Sequence, residues 1–364
     1  MSASLFVGLM SGTSLDGADA VLADFSAPQP RILARNHRPF GDDLRRALEA
    51  LTCPGDDEID RAGALGNRLA AEYAAAVAEV LRLAGVGTAT VRAIGCHGQT
   101  VRHRPERGYT VQIGNAALLA ETCGIAVVAD FRSRDIAAGG QGAPLVPAFH
   151  AAMFRSDVEI RTVLNLGGIA NVTWLPPRGT VTGFDCGPGN TLLDAWASQH
   201  RGTRFDESGR WAASGREDAA LLARMRDEPY FRASPPKSTG RELFNPAWLR
   251  ARLGGSESAA DVQATLVALT ARTVSDALRQ WCRGSARLIV CGGGTQNRRL
   301  MERIAEENAS ITVESSASHG VGPLDVEALA FAWLARERME GRPASLPSVT
   351  GARGARVLGT IYSA

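Results

Sequence analysis

Two stretches of this chain share one layout, and that repetition constrains its fold more than any single motif does. Residues 5–9 are a short apolar run, residues 10–17 a turn of small hydroxyl residues and glycine, and residues 18–25 a second strand-like run. Residues 162–166 and 170–175 are again two strand-like runs, bent at Gly167-Gly168-Ile169. Apolar runs this short suit buried strands, and two of them joined by a tight bend make a β-hairpin rather than a strand–loop–helix unit. At 364 residues the chain exceeds what one hydrophobic core usually holds. The expectation is a duplicated α/β fold. The first domain is expected at residues 1–131, with the tail 345–364 returning to it, and the second at residues 132–344.

The rest of the pattern fills in that frame. Leucines, Tyr73 and Val77 recur at helical spacing over residues 42–84, with a break at Pro54-Gly55 and a stop at Gly85-Val86-Gly87. Residues 91–96, 109–113, 125–131, 287–291 and 311–313 read as strands, and residues 261–282 and 298–304 as helices. Asn115 is placed to cap a helix over residues 115–121. Residues 138–147 hold too much Gly and Pro for regular structure and read as a functional loop or a crossing between domains.

Composition excludes several classes. A net charge of +2 with no basic tail argues against a nucleic-acid partner. Lys237 is the only lysine among 40 basic residues, so no Gly-Lys-Ser/Thr phosphate loop exists and a Walker-type NTPase is out. The six cysteines form no C-x-x-C pair and read as free thiols of a reducing compartment. No apolar run approaches the roughly 20 residues of a membrane span, and no basic leader opens the chain. The expected location is the cytoplasm, with no membrane partner.

Chemistry concentrates at Gly183-Phe184-Asp185-Cys186-Gly187-Pro188-Gly189-Asn190. Residues 180–182 read as a strand end and residues 191–196 as a helix start. A carboxylate there, followed by a glycine turn and a helix N-terminus, pairs a candidate base with an anion site. The hydroxyl-rich turn at residues 10–17 fits either an ordinary hairpin turn or a clasp for phosphate oxygens, with Asp16 near a hydrated Mg²⁺. Gly292-Gly293-Gly294-Thr295 lets a flat ligand approach the backbone after a strand. His97 fits a structural histidine or a ligand-facing one. Arg132, Arg134 and Asp135 fit a solvated cluster or recognition of an anionic small molecule. Asp325 and Glu327 fit a helix-dipole pair or carboxylates facing a ligand. Residues 234–245 are polar and unusual, and fit an active-site loop or a subunit contact.

The hairpin loop, the Asp185 loop and the glycine segment after residue 291 resemble, in order and spacing, the phosphate-1, phosphate-2 and adenosine segments of the actin/hexokinase/Hsp70-like ATPase superfamily. The match is closer to one family within it. The segments at residues 8–19, 96–100, 139–147, 165–171, 183–190, 237–245 and 350–359 resemble the anhydro-N-acetylmuramic acid kinase family over essentially the whole chain. Cys186 stands where that family more often has threonine, which matters little if the position contributes mainly backbone.

The resemblance implies a two-domain, actin-like ATPase fold, a duplicated ribonuclease H-like unit with a central cleft for ATP and substrate. It implies an ATP- and Mg²⁺-dependent enzyme that opens the 1,6-anhydro bridge of anhydro-N-acetylmuramic acid with water and phosphorylates O6, and it implies a homodimer. Asp185 is then the base. Gly12, Thr13, Ser14, Leu15, Asp16, Gly17, Ala18, Asp19, Gly168, Gly187, Gly292, Gly293, Gly294 and Thr295 bind ATP, with Asp16 at the metal. Thr100, Arg132, Asp135 and Glu327 contact the sugar, Arg132 rather than Arg134 meeting the lactyl carboxylate.

Overall fold

The structure, a computed structural model, describes residues 4–12 and 14–364. The chain divides into two compact units, Met1–Met153 with Asp325–Ala364, and Phe154–Leu324. In the first unit the strands are β1 (Leu5–Met10), β2 (Gly17–Asp24), β3 (Arg31–Pro39), β4 (Val91–Cys96), β5 (Gln99–Arg104), β6 (Tyr109–Ile113) and β7 (Val127–Ala129). The second unit holds β8 (Arg161–Leu166), β9 (Ile169–Leu175), β10 (Thr182–Pro188), β11 (Arg287–Cys291) and β12 (Thr312–Ser315). The last strand, β13 (Thr360–Tyr362), returns to the first unit and pairs with β7.

The two main sheets repeat one topology. The first runs β13-β7-β4-β1-β2-β3 and the second β10-β9-β8-β11-β12. In each, three consecutive strands form an antiparallel meander, and two later strands join parallel to the first of the three. The hairpins expected at residues 5–25 and 162–175 are the starts of these two meanders. A duplicated α/β fold is what the sheets show. β5 and β6 form a separate two-stranded ribbon.

Burial explains which strands were legible. β1, β4 and β11 are buried along almost their whole length, so they read as continuous apolar runs. β3 is an exposed edge strand rich in arginine, and its sequence carries no such run. The helices Asp42–Leu51 and Glu58–Ala84 turn Leu44, Leu48, Leu65, Leu69, Tyr73 and Val77 into the first core. Gly85 ends the second of them in a left-handed conformation, its N–H donating to the carbonyls of Arg82 and Leu81. In the second unit the helix Ala259–Trp281 buries Val262, Leu266, Leu269, Val274 and Leu278 in a core shared with Phe184 and Trp196.

The division falls at residues 153 and 324, where 131 and 344 were expected. The helix Val326–Met339 belongs to the first unit because it lies directly on β1 and β4. A Cβ on Gly8 would sit 1.8 Å from the Ala328 carbonyl oxygen, and one on Gly95 would sit 2.0 Å from that of Phe331. Two glycines on adjacent strands let the helix backbone touch the sheet. The helix Ser133–Ala137 and the helix Val146–Phe154, up to Met153, continue the first unit past residue 131.

Candidate active site

In the second unit, Asp185 lies inside β10 and not in a loop beyond a strand end. The strand extends through Gly187 and Pro188, which pair with Ala170 and Ile169 of β9, because a bulge between Asp185 and Gly187 absorbs the irregular Gly-Pro stretch. β10 is the edge of its sheet, so one side of its backbone is open to another segment. Residues 237–239 take that side. The Asp185 N–H donates to the Lys237 carbonyl at 3.2 Å, and the Thr239 N–H donates to Asp185 Oδ2 at 3.0 Å. Tyr230 adds its hydroxyl to the Asp185 carbonyl at 2.9 Å. Asp185 Oδ1 makes no hydrogen bond to a described residue. Burial pushes the Asp185 carboxyl up to about 6, with Glu242 adding to the rise and the Thr239 N–H and Lys237 opposing it.

The turn after Asp185 works differently from the expected anion site. The N–H groups of Gly189 and Thr191 donate to the Gly168 carbonyl at 2.9 and 3.0 Å, and that of Asn190 to the Gly167 carbonyl at 2.9 Å. Three donors at the start of the helix Asn190–Arg201 therefore bind the β8–β9 bend. Gly168 sits against the Thr191 hydroxyl, and Gly187 occupies the bulge. The segment after β11 is a short 3₁₀ turn, Gly293–Gln296, in which the Thr295 hydroxyl donates to the Gly292 carbonyl at 2.7 Å. A Cβ on Gly292 would lie 2.3 Å from Asn165 Oδ1, and one on Gly294 2.6 Å from Leu166 Cβ. Those two glycines serve packing against the end of β8. Gly293 has open space beside it and is the one free for close approach by a ligand.

In the first unit, the bend between β1 and β2 is anchored from below. The hydroxyls of Ser11 and Tyr73 lie 2.7 Å apart, the Ser11 hydroxyl donates to the Gly98 carbonyl at 3.2 Å, and Gln99 Nε2 donates to the Gly12 carbonyl at 3.2 Å. Leu15 takes a left-handed conformation, φ 55°, and the Ser14 hydroxyl donates to Asp16 Oδ1 at 2.5 Å. Thr13 lies outside the described residues. Gly17, Ala18 and Asp19 belong to β2 and not to the bend. Asp19 faces His37 at 2.8 Å. Burial raises the Asp19 carboxyl, His37 opposes this, and the negative charges of Asp16 and Asp325 add to it.

Arg132 is the centre of a second cluster in the same unit. Its Nε and one Nη donate to His97 Nε2 at 3.2 and 2.8 Å, and its other Nη donates to the Gly142 carbonyl at 2.8 Å. Burial, helped by Arg132, pushes His97 down to about 3, so the ring is neutral and accepts. Burial lowers Arg132 to about 10, with Glu327 opposing, and the guanidinium stays charged. His97 is buried, and its Nε2 holds the arginine. Thr100 follows on β5, its hydroxyl accepting from Gln112 Nε2 at 3.1 Å.

Asp135 is fully buried beneath the loop that follows it. Its two oxygens accept from the Gly142 N–H and the Thr350 hydroxyl, both at 2.8 Å. The Gln141 N–H donates to the Thr350 carbonyl at 2.7 Å, and the Arg353 N–H to the Ala138 carbonyl at 2.9 Å. The tail thereby fastens the loop, and Asp135 ties the two together; it does not reach a surface where a sugar could touch it. The first residues of the 350–359 motif find their role here.

A family model described as anhydro-N-acetylmuramic acid kinase matches residues 4–364. The chain belongs to that family. A relative of that name from Cupriavidus metallidurans is 54% identical, over 99% of this chain and 98% of its own length. Another from Nitrosospira multiformis is 52% identical over the full length of both. Among solved structures, component A of the (R)-2-hydroxyglutaryl-CoA dehydratase of Acidaminococcus fermentans superposes with a TM-score of 0.50 at 13% identity, over 90% of this chain and 96% of that one, a likeness of fold alone.

Membership of the anhydro-N-acetylmuramic acid kinase family makes the chain a kinase of the actin-like ATPase fold, in agreement with the duplicated sheets. Within each unit the structure gathers part of what the sequence singled out. Asp185 and Gly187 share one strand, Gly168 faces the turn that follows it, and Gly292 packs against the strand that leads to Gly168. Arg132 and Glu327 interact in the other unit. Sequence reasoning offered residues 234–245 as an active-site loop or a subunit contact without naming Lys237 and Thr239 as partners of Asp185, and it missed Tyr230 as a further partner and His97 as the partner of Arg132. The single lysine and the polar stretch around it at residues 234–245 were the visible signals for that segment.

Proposed function

We propose that this kinase hydrolytically opens the 1,6-anhydro ring of 1,6-anhydro-N-acetylmuramic acid and phosphorylates O6 with ATP, releasing N-acetylmuramate 6-phosphate and ADP in cell-wall recycling. The observation that carries the reading is the Asp185 carboxylate. One oxygen is held by Thr239, the other has no hydrogen-bond partner among the described residues, and burial raises the group to about 6, as suits a general base.

The substrate has no free 6-hydroxyl, because O6 is tied to C1. Asp185 Oδ1 takes a proton from water as the water oxygen bonds to C1. The C1–O6 bond breaks, O6 bonds to the γ-phosphorus, and ADP leaves. Water ends as the C1 hydroxyl. Arg132 retains two N–H groups beyond those held by His97 and Gly142, and these suit a carboxylate such as the lactyl group. Glu327 and Thr100 are assigned to the sugar's polar groups. Asp135 is assigned to holding the 138–142 loop, and through Gly142 it holds Arg132.

The bend at residues 12–16, the start of β2 and Gly168, Gly187, Gly293 and Thr295 are assigned to ATP. Asp325 is paired with Arg35 and Asp19 with His37, yet the charges of Asp16 and Asp325 still repel that of Asp19, which fits a cation held by one or two carboxylates, water and phosphate oxygens. Asp16 and Asp19 would hold Mg²⁺, which would neutralise phosphate charge. A homodimer and a cytoplasmic location complete the reading. Among the described residues no helix is long and apolar enough to cross a membrane.

The deciding assay is ADP release with the anhydro sugar against N-acetylglucosamine, with the product mass measured. A product heavier than the substrate by one water and one phosphoryl group supports the reading. ADP release only with the free-hydroxyl sugar overturns it in favour of an ordinary sugar kinase.

A further inference from the structure

Lys237 is the only lysine in a chain that otherwise uses arginine for every basic position. It sits beside the site, partly buried, in the segment that lines the open edge of β10. Its Nζ donates to the carbonyls of Tyr230 at 3.2 Å and Phe231 at 3.4 Å, and lies 4.7 Å from the centre of the Tyr230 ring. A compact ammonium with three rotatable donors fits such a pocket of carbonyls against a ring, where a planar guanidinium would not sit in the same way. Two residues on, Thr239 gives its N–H to Asp185 Oδ2, while the Lys237 carbonyl takes the Asp185 N–H. Tyr230 closes the loop through its hydroxyl on the Asp185 carbonyl. One ammonium thus ties the helix Pro229–Arg232 to the segment that grips Asp185 on both backbone and side chain.

We propose that Lys237 is a positioning residue for Asp185: its ammonium pins the segment whose Thr239 N–H holds one carboxylate oxygen, so that the other is aimed at the attacking water. This rests on the reading of Asp185 as the general base. The titratable groups facing Asp185 are Lys237 and Glu242 from the segment, Tyr230 from the helix and Cys186 from its own strand. Burial pushes Tyr230 and Cys186 upward, so both are neutral at pH 7. Lys237 and the Thr239 N–H are the two groups that favour the ionised carboxylate.

The test compares the wild type, Lys237→Met, Lys237→Arg and Asp185→Asn as full chains, by kcat, KM for each substrate and the pH profile of kcat/KM. Lys237→Met should lower kcat on the order of tenfold, leave KM for ATP in place and move the acidic limb of the profile to higher pH. Lys237→Arg keeps the charge, so its limb should stay near that of the wild type, with kcat between the two. An unmoved limb in Lys237→Met overturns the proposal. So does a rise in KM for ATP at unchanged kcat, which would put the lysine on the nucleotide. If Asp185→Asn keeps near-normal turnover, the base reading itself falls. If that variant is inactive while Lys237→Met matches the wild type, only the positioning role falls.

Discussion

The backbone N–H of Thr239 donates to Asp185 Oδ2 at 3.0 Å across a separation of 54 residues. It fixes one oxygen of a carboxylate that burial has made weakly acidic, and it makes residues 237–239 part of the site. A base held this way is oriented before substrate arrives, which is how positioned groups lower a barrier.

Asp185→Asn should lose about 10²–10⁴-fold in kcat while the protein still folds. Its stability should move the other way. The folded-state carboxyl is raised to about 6 from an ordinary 3.8, so burying the ionised form destabilises the wild type above pH 6 and not below 3.8. Thermal melts should place the Asn variant above the wild type at pH 7, with the gap closing as pH falls from 6 towards 4. A gap that does not change with pH would contradict the assigned burial. The kcat/KM of the wild type should fall as pH drops through about 6.

Arg132→Ala should raise KM for the anhydro sugar by about 10- to 100-fold, from a lost charged hydrogen bond of about 1.5–3 kcal/mol, and leave KM for ATP unchanged. Steady-state kinetics with each substrate varied in turn checks this. His97→Ala should give a smaller effect of the same kind, because the guanidinium keeps its Gly142 contact. A change confined to ATP would remove Arg132 from the sugar.

Asp135→Ala should act on stability first. It leaves the buried Gly142 N–H unsatisfied, at a cost of about 1–3 kcal/mol, and leaves the Thr350 hydroxyl only its longer contacts with the Leu346 carbonyl and the Ala352 N–H. The melting temperature should drop, and hydrogen exchange should rise at residues 138–142 and 350–353. KM for the sugar should rise as a consequence of the loosened Arg132. A variant with normal melting and raised KM would instead place Asp135 on the sugar.

Gly95→Ala should destabilise the first unit by about 1–3 kcal/mol or more, because its Cβ would overlap the Phe331 carbonyl. Gly293→Ala meets open space and should melt like the wild type. With adenosine against the Gly293 turn, that variant should raise KM for ATP. Equal melting of the two variants would contradict the packing.

Removal of divalent cation with a chelator should abolish ADP release, and Mg²⁺ should restore it. Asp16→Asn should raise the Mg²⁺ concentration needed for half-maximal rate, with the KM for sugar unchanged. Full activity in chelator would exclude the cation site at Asp16.

Local pattern by itself determined the two hairpins, the buried strands β1, β4 and β11, the long helices and the isolation of Asp185 among glycines. These follow from periodicity and turn chemistry over a few neighbouring residues, which any window of the chain displays. With the longer motifs it also pointed to the family. Tertiary structure decided the rest. β3 is a strand because β2 offers it an edge, not because its arginine-rich sequence favours one. Asp185 lies within a strand because β9 supplies partners through Pro188 and a bulge takes up the misfit. The helix Val326–Met339 joins the first unit through two glycines more than 200 residues away in the chain, which no local pattern connects. Asp135 fits, by sequence, either a solvated cluster or recognition of an anionic small molecule, yet Thr350, 215 residues later, and Gly142 enclose it. Lys237 was visible as an oddity of composition and became intelligible only when the open edge of β10 met the segment that carries it. A hydrogen bond across such distances depends on which donor the fold brings to which edge, and that is settled by packing of the whole unit.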